Sequence, residues 1–247
     1  METHTHILKP LCREKLTPAD FEFMSEVLAS KRNQKRFFET LLCDNEIRDQ
    51  MLDARPLFKA VLELNAVLMI SSYFYFYILI RNLFLKKGID DRMMADYVAM
   101  ILTEVLSESR RQGEDTPKGH PFPYIVDMLT KLEEAGPHEQ FRIHTEIGNH
   151  TLFFTGMLKK VIRARTNRRG APGVRYYEAM GIQSFSLAGN AVLAEEMKME
   201  SLYKDLSAFF VDIRQSLNQI SKEHIFLFET EELKKVARLL KDIDAAN

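Results

Sequence analysis

Two residues of this chain carry the types and spacing that acid–base or metal chemistry would use. Glu146 and His150 stand four apart, so on a helix they share one face. Inward carboxylates and imidazoles are the raw material of di-iron sites in four-helix bundles. Such sites repeat a Glu-x-x-His pair on two helices. Here a Glu-x-x-x-His pair occurs once, His144 points to another side, and no His-Glu-x-x-His zinc signature is present. His150 lies amid the apolar positions Ile143, Ile147, Phe154, Leu158 and Val161. The expectation is therefore a buried, hydrogen-bonded core histidine, with Glu146 or a neighbouring helix as its partner. A metal-dependent oxidase or oxygenase using Glu146 and His150 is the alternative. His224 occupies a comparable position on the stripe of Leu206, Phe210, Ile213, Leu217 and Ile220.

Small residues recur near the same place. Gly148, Thr151 and Thr155 fall on one strip, and Gly181, Ser184 and Ala188 on another. Glycine inside a helix costs about 1 kcal/mol against alanine, so it needs a reason. A close helix crossing is the expected one. If there is a pocket, it is here, around Glu146, His150, Tyr177 and Gly181, with Met180 and Phe185 as apolar walls.

The third feature is electrostatic. Residues 159–175 read KKVIRARTNRRGAPGVR and include Lys159, Lys160, Arg163, Arg165, Arg168, Arg169 and Arg175. No acidic residue occurs between Thr151 and Tyr177, although the chain carries a formal net charge of −1. Two explanations compete. Cations at a helix C-terminus favour the macrodipole and could pair with Glu195, Glu196 or Glu200. Alternatively, the run forms an anion site for phosphate, a nucleic-acid backbone or anionic lipid. Arginine outnumbers lysine, which suits bidentate phosphate contacts, and Tyr176 and Tyr177 are the nearest aromatics for stacking.

Other chemistries lack their signatures. There is no Gly-x-Ser-x-Gly elbow, P-loop or Gly-x-Gly-x-x-Gly turn. Cys43 reads as a small hydrophobe, and two cysteines (Cys12 and Cys43) cannot frame a disulfide scaffold. No cofactor is implied.

The elements that must position these residues are helical almost throughout, with no alternating strand or hairpin signal. A helix starts at Pro18 with Thr17 as N-cap. Two more cover 33–43 and 45–53. Pro56 opens one long helix to Lys87, closed by Gly88, and Asp90 caps the next, which runs to Arg111. A loop at 113–123, a short helix 124–135, a long helix 139–165, the loop TNRRGAPG, a helix 174–198 running on toward 224, and a last one at 231–243 complete the chain. On the Pro56 helix, Asn65, Ser72 and Phe76 share one stripe, and Lys59, Glu63, Tyr77 and Arg81 another. The apolar stretch Ala66–Ile80 is too short to span a bilayer and is expected at the centre of a bundle.

Composition agrees. The 247 residues are 46% hydrophobic and 28% charged, with only 10 glycines and 8 prolines, so collagen-like and low-complexity classes are excluded. The near-neutral charge excludes a globally basic nucleic-acid binder. The N-terminus lacks the apolar segment of a secretory signal, and a reducing, cytoplasmic setting is expected. The expected fold is all-α, a single domain spanning 1–247, with an irregular arm at 1–16 and eight to ten helices around the long apolar one. The expected function is a non-enzymatic helical interaction or scaffold protein, with a protein partner or a second copy of itself. An anionic partner would dock on the basic loop 159–175, and a peripheral membrane role is a further alternative.

Overall fold

A computed structural model describes residues 7–29, 40–41, 44–63, 70–111 and 125–223. The fold is all-α: the described residues form twelve α-helices and one 3-10 turn, with no strand. Contacts divide the chain into two compact units, residues 9–103 and residues 104–247 together with 1–8. The division falls within one helix.

In the 9–103 unit, α1 (Pro18–Leu28) begins as the sequence predicts, with Thr17 and Asp20 forming a reciprocal capping box. Asp44 caps α2 (Asn45–Leu52). The expected continuous helix from Pro56 to Lys87 is not formed. It is two helices, α3 (Arg55–Val61) and α4 (Ser72–Lys86). The first ends at Val61, and Ser71 starts the second: its backbone is extended and its hydroxyl accepts from Phe74 N–H, making it the N-cap of α4. The buried Asp20 carboxylate holds Ser71 there, accepting its N–H and its hydroxyl at 2.7 Å each. A carboxylate from α1 thus decides where α4 starts, and no local propensity announces it.

The break also dissolves the two stripes projected along a single helix. Glu63 is exposed in the turn after α3, so no buried carboxylate sits there. Asn65 and residues 66–69 of the apolar stretch lie outside the described residues. Of the remainder, Phe74 through Ile80 are all buried, whereas residues 70–73 are half-buried. α4 closes at Gly88, where Ile89 N–H reaches back to the Phe84 carbonyl and φ is +77°.

α5 (Arg92–Arg111) is capped one residue later than expected. Asp91 accepts from Met94 N–H, whereas Asp90 pairs with Arg81. Arg81 is buried and also makes a two-point contact with Asp53, which in turn binds Arg92. Residues 7–16 are irregular except for the 3-10 turn Arg13–Lys15, yet they are anchored. Arg13 bridges Asp49 and Asp96 beneath the Tyr77 ring, and Cys12 is buried.

In the larger unit, α6 (Ile125–Leu132) packs on α7 (Pro137–Met157) through Met128, Ile143 and Ile147. The long helix expected over 139–165 divides at Leu158 into α7 and α8 (Lys159–Arg169). The helix expected over 174–198 divides into α9 (Val174–Gly189) and α10 (Val192–Glu196). α11 (Glu200–Ala208) and α12 (Phe210–Glu223) follow. These divisions are why the helices outnumber the expected eight to ten. α7 is the hub, crossed by α9 and α12, while α11 lies on α9. The stripe Leu206, Phe210, Ile213, Leu217 and Ile220 is fully buried, as its spacing requires. The predicted helix over 33–43 apart from residues 40–41, the helix over 231–243, the loop at 113–123, Cys43 and His224 lie outside the described residues.

Candidate functional site

His150 is half-buried on α7, its ring stacked on Phe154 at 6.0 Å. Burial disfavours its charged form and lowers its pKa to about 4, an interaction with the Glu146 backbone one turn earlier opposing in part. His150 is therefore a neutral imidazole near pH 7. Glu146 is half-buried beside it. Among the described residues, no group of three or more His, Cys, Asp or Glu side chains is arranged to hold a metal ion.

The small-residue strips meet as expected. α9 crosses α7 so closely that a Cβ on Gly148 would lie 2.6 Å from the Phe185 ring. One on Gly181 would strike Thr151 and Phe210. The places that glycine leaves open are filled by these rings, and Met180 packs against the α6–α7 cluster. Around Gly181 the chain thus has close packing where a pocket was considered. Tyr177 is half-buried, edge-on to the exposed Tyr176.

The basic run is placed differently from its expected position at a helix end and loop. Lys159 through Arg169 form α8 itself, and the loop is only 170–173. Lys159 and Lys160 consequently occupy the first turn of a helix, where the macrodipole is unfavourable to cations by about 0.3–1 kcal/mol each. The preceding C-terminus of α7 offers little relief. Its Thr155 carbonyl accepts from Asn218 Nδ2 at 2.9 Å and its Met157 carbonyl from the Ser221 hydroxyl at 3.0 Å. These two contacts from α12 also explain the division at Leu158, because they satisfy carbonyls that a continuous helix would bond itself.

Lys160, Arg163, Arg168 and Arg175 are exposed, and Lys159 is half-buried. Among the described residues none of these five forms an ion pair with a carboxylate. The acids considered as partners are engaged elsewhere or exposed: Glu200 pairs with Lys204, and Glu195 and Glu196 face solvent. Arg165 is half-buried, and the Arg169 side chain lies outside the described residues.

The sequence reading missed the other half of this basic region. α12 brings Arg214 and Lys222 to Lys159, and with Gln215, Asn218 and Gln219 they line a groove of about 350 Å³. Burial lowers the Lys159 pKa, and the nearby charges of Arg163, Arg214 and Lys222 lower it further. Glu178 on α9 pairs with Arg214 at 2.9 Å and supplies the one opposing charge. The spacing Arg214, Asn218, Lys222 was legible as one helix face. Its meeting with Lys159, fifty-odd residues earlier, was not.

No known protein family matches the chain, and neither does any curated protein or solved structure. Among the described residues, no helix is long and apolar enough to cross a membrane.

Proposed function

We propose that this chain is a non-enzymatic helical interaction protein that engages an anionic partner through α8 and the start of α9. One observation carries the reading: Lys160, Arg163, Arg168 and Arg175 are exposed on adjoining segments with no carboxylate of the described residues paired to them. Unpaired cations on a helix create a local positive field whatever the net charge of the chain. At physiological salt that field reaches only about 8 Å, so the partner must come into contact and the binding must be salt-sensitive.

The test is retention on immobilised heparin, a flexible polyanion. Wild-type protein is expected to be retained at about 0.15 M salt. The double variant Arg163→Glu with Arg168→Glu is expected to elute well before it, with an unchanged far-ultraviolet circular dichroism spectrum, because both side chains are exposed. Equal elution of the two proteins would overturn the reading.

A further inference from the structure

The groove between the start of α8 and the face of α12 has features that a diffuse basic surface does not require. Three cations converge on it from two helices, Lys159 from one and Arg214 and Lys222 from the other. Among the described residues the remaining lining is made of amides, Gln215, Asn218 and Gln219, with no carboxylate and no aliphatic side chain. Water-filled concavities of this polarity suit a hydrophilic guest rather than an apolar one. The volume, about 350 Å³, is at the lower end for small-molecule sites and equals the liquid volume of about a dozen waters.

The groove is also built to stay in place. Asn218, in its floor, is tied by its amide nitrogen to the Thr155 and Arg214 carbonyls, and Ser221 is tied to Met157. The Glu178 carboxylate holds the Arg214 guanidinium from the side of α9. Lys159 is the first residue of the eleven-residue α8, and Leu158 before it supplies no side-chain cap. Lys159 thus lines the groove from the first turn of α8, where the helix dipole is positive. Gathering three cations against the one carboxylate of Glu178 costs the protein free energy; the Lys159 pKa is depressed by burial and, beyond that, by the charges of Arg163, Arg214 and Lys222.

We infer that this groove is a binding site for a small, multiply charged phosphate compound, a free polyphosphate or phosphate ester, held between Lys159, Arg214 and Lys222. Tetrahedral phosphoryl oxygens accept from lysine and guanidinium in many directions, and a second phosphoryl group uses the spread of the three cations across two helices. The inference rests on the reading of α8 as an anion-facing segment and narrows it to one ligand class at one end of that helix.

Isothermal titration calorimetry with inorganic tripolyphosphate on the full chain tests it at about 0.15 M salt. Saturable binding with one equivalent is expected. Lys222→Gln, an exposed position, should weaken it at least about tenfold, and Lys159→Gln should do the same. Arg163→Glu with Arg168→Glu should retain most of it while losing heparin retention. Absence of heat from wild-type protein, or lysine variants that both bind as tightly as wild type, would overturn the site. Binding to phosphatidylcholine vesicles carrying phosphatidylserine, with no response to tripolyphosphate, would overturn it in favour of a membrane surface. Tripolyphosphate binding without heparin retention would instead sink only the macromolecular partner, so the two readings fail separately.

Discussion

Replacing Gly148 by alanine measures how close α7 and α9 come. A methyl group there would lie 2.6, 2.7 and 2.9 Å from three carbons of the Phe185 ring. Ordinary carbon–carbon contact is about 3.5–4.0 Å, so the ring must retreat by about 1 Å. It has little room to do so. Phe185 is fully buried, stacked on Tyr203 at 6.3 Å, with Phe210 at 6.1 Å on another side. Overpacking of this sort costs about 1–3 kcal/mol, and the confined ring places it toward the upper half of that range. Alanine returns about 1 kcal/mol of helix propensity. The net expectation is a destabilisation of about 1–2 kcal/mol. For a chain of this size that lowers the melting temperature by roughly 2–8 °C, read by circular dichroism at 222 nm. Combining the change with Phe185→Leu should recover at least about 1 kcal/mol relative to the sum of the single effects, because the clashing ring atoms are gone. A Gly148→Ala protein as stable as wild type, or more so, would refute the close crossing and with it the packing of the unit around α7.

Two further outcomes test the site and the other unit. His150 binds its proton only near pH 4 when folded but near 6.5 when unfolded, so the unfolded state gains protons first as pH falls. Stability from this residue is present above pH 6.5 and is lost as pH falls toward 4; His144, its pKa lowered by burial too, acts in the same sense. His150→Asn should remove about 2 kcal/mol of that pH dependence, after allowance for a half-buried ring, in urea titrations at pH 4.5 and 7; equal slopes in both proteins would refute it. Asp20→Ala removes acceptors from Thr17 and Ser71 together and should cost about 2–4 kcal/mol, measured as the urea midpoint. A loss below about 0.5 kcal/mol would mean that Asp20 does not set the start of α4.

Heparin retention and tripolyphosphate binding bear on function, and their separation follows from geometry. On the proposed reading, the exposed cations Arg163 and Arg168 would serve an extended partner, and Lys159 and Lys222 a ligand small enough to enter the groove.

What the amino-acid order determined by itself was local. Thr17-Pro18 starts a helix because a hydroxyl and a fixed φ act within one turn, and Gly88 ends one because only its backbone conformation is at issue. The burial of Phe74–Ile80 follows from an unbroken apolar run and that of the Leu206–Ile220 stripe from apolar periodicity, neither of which needs knowledge of the partner helix. The glycine strips foretold a close crossing for the same reason. Tertiary structure decided the rest, through groups far apart in sequence. Asp20 sets the start of α4 by capturing Ser71, and Asn218 with Ser221 permits the division at Leu158 by taking the carbonyls of α7. That division turned a stretch expected at a helix C-terminus into a helix of its own, with two lysines at its unfavourable end. It also set Lys159 against Arg214 and Lys222, a meeting that no spacing along the chain contains. A hydrogen bond between distant residues leaves no periodic trace, because its donor and its acceptor are each unremarkable alone.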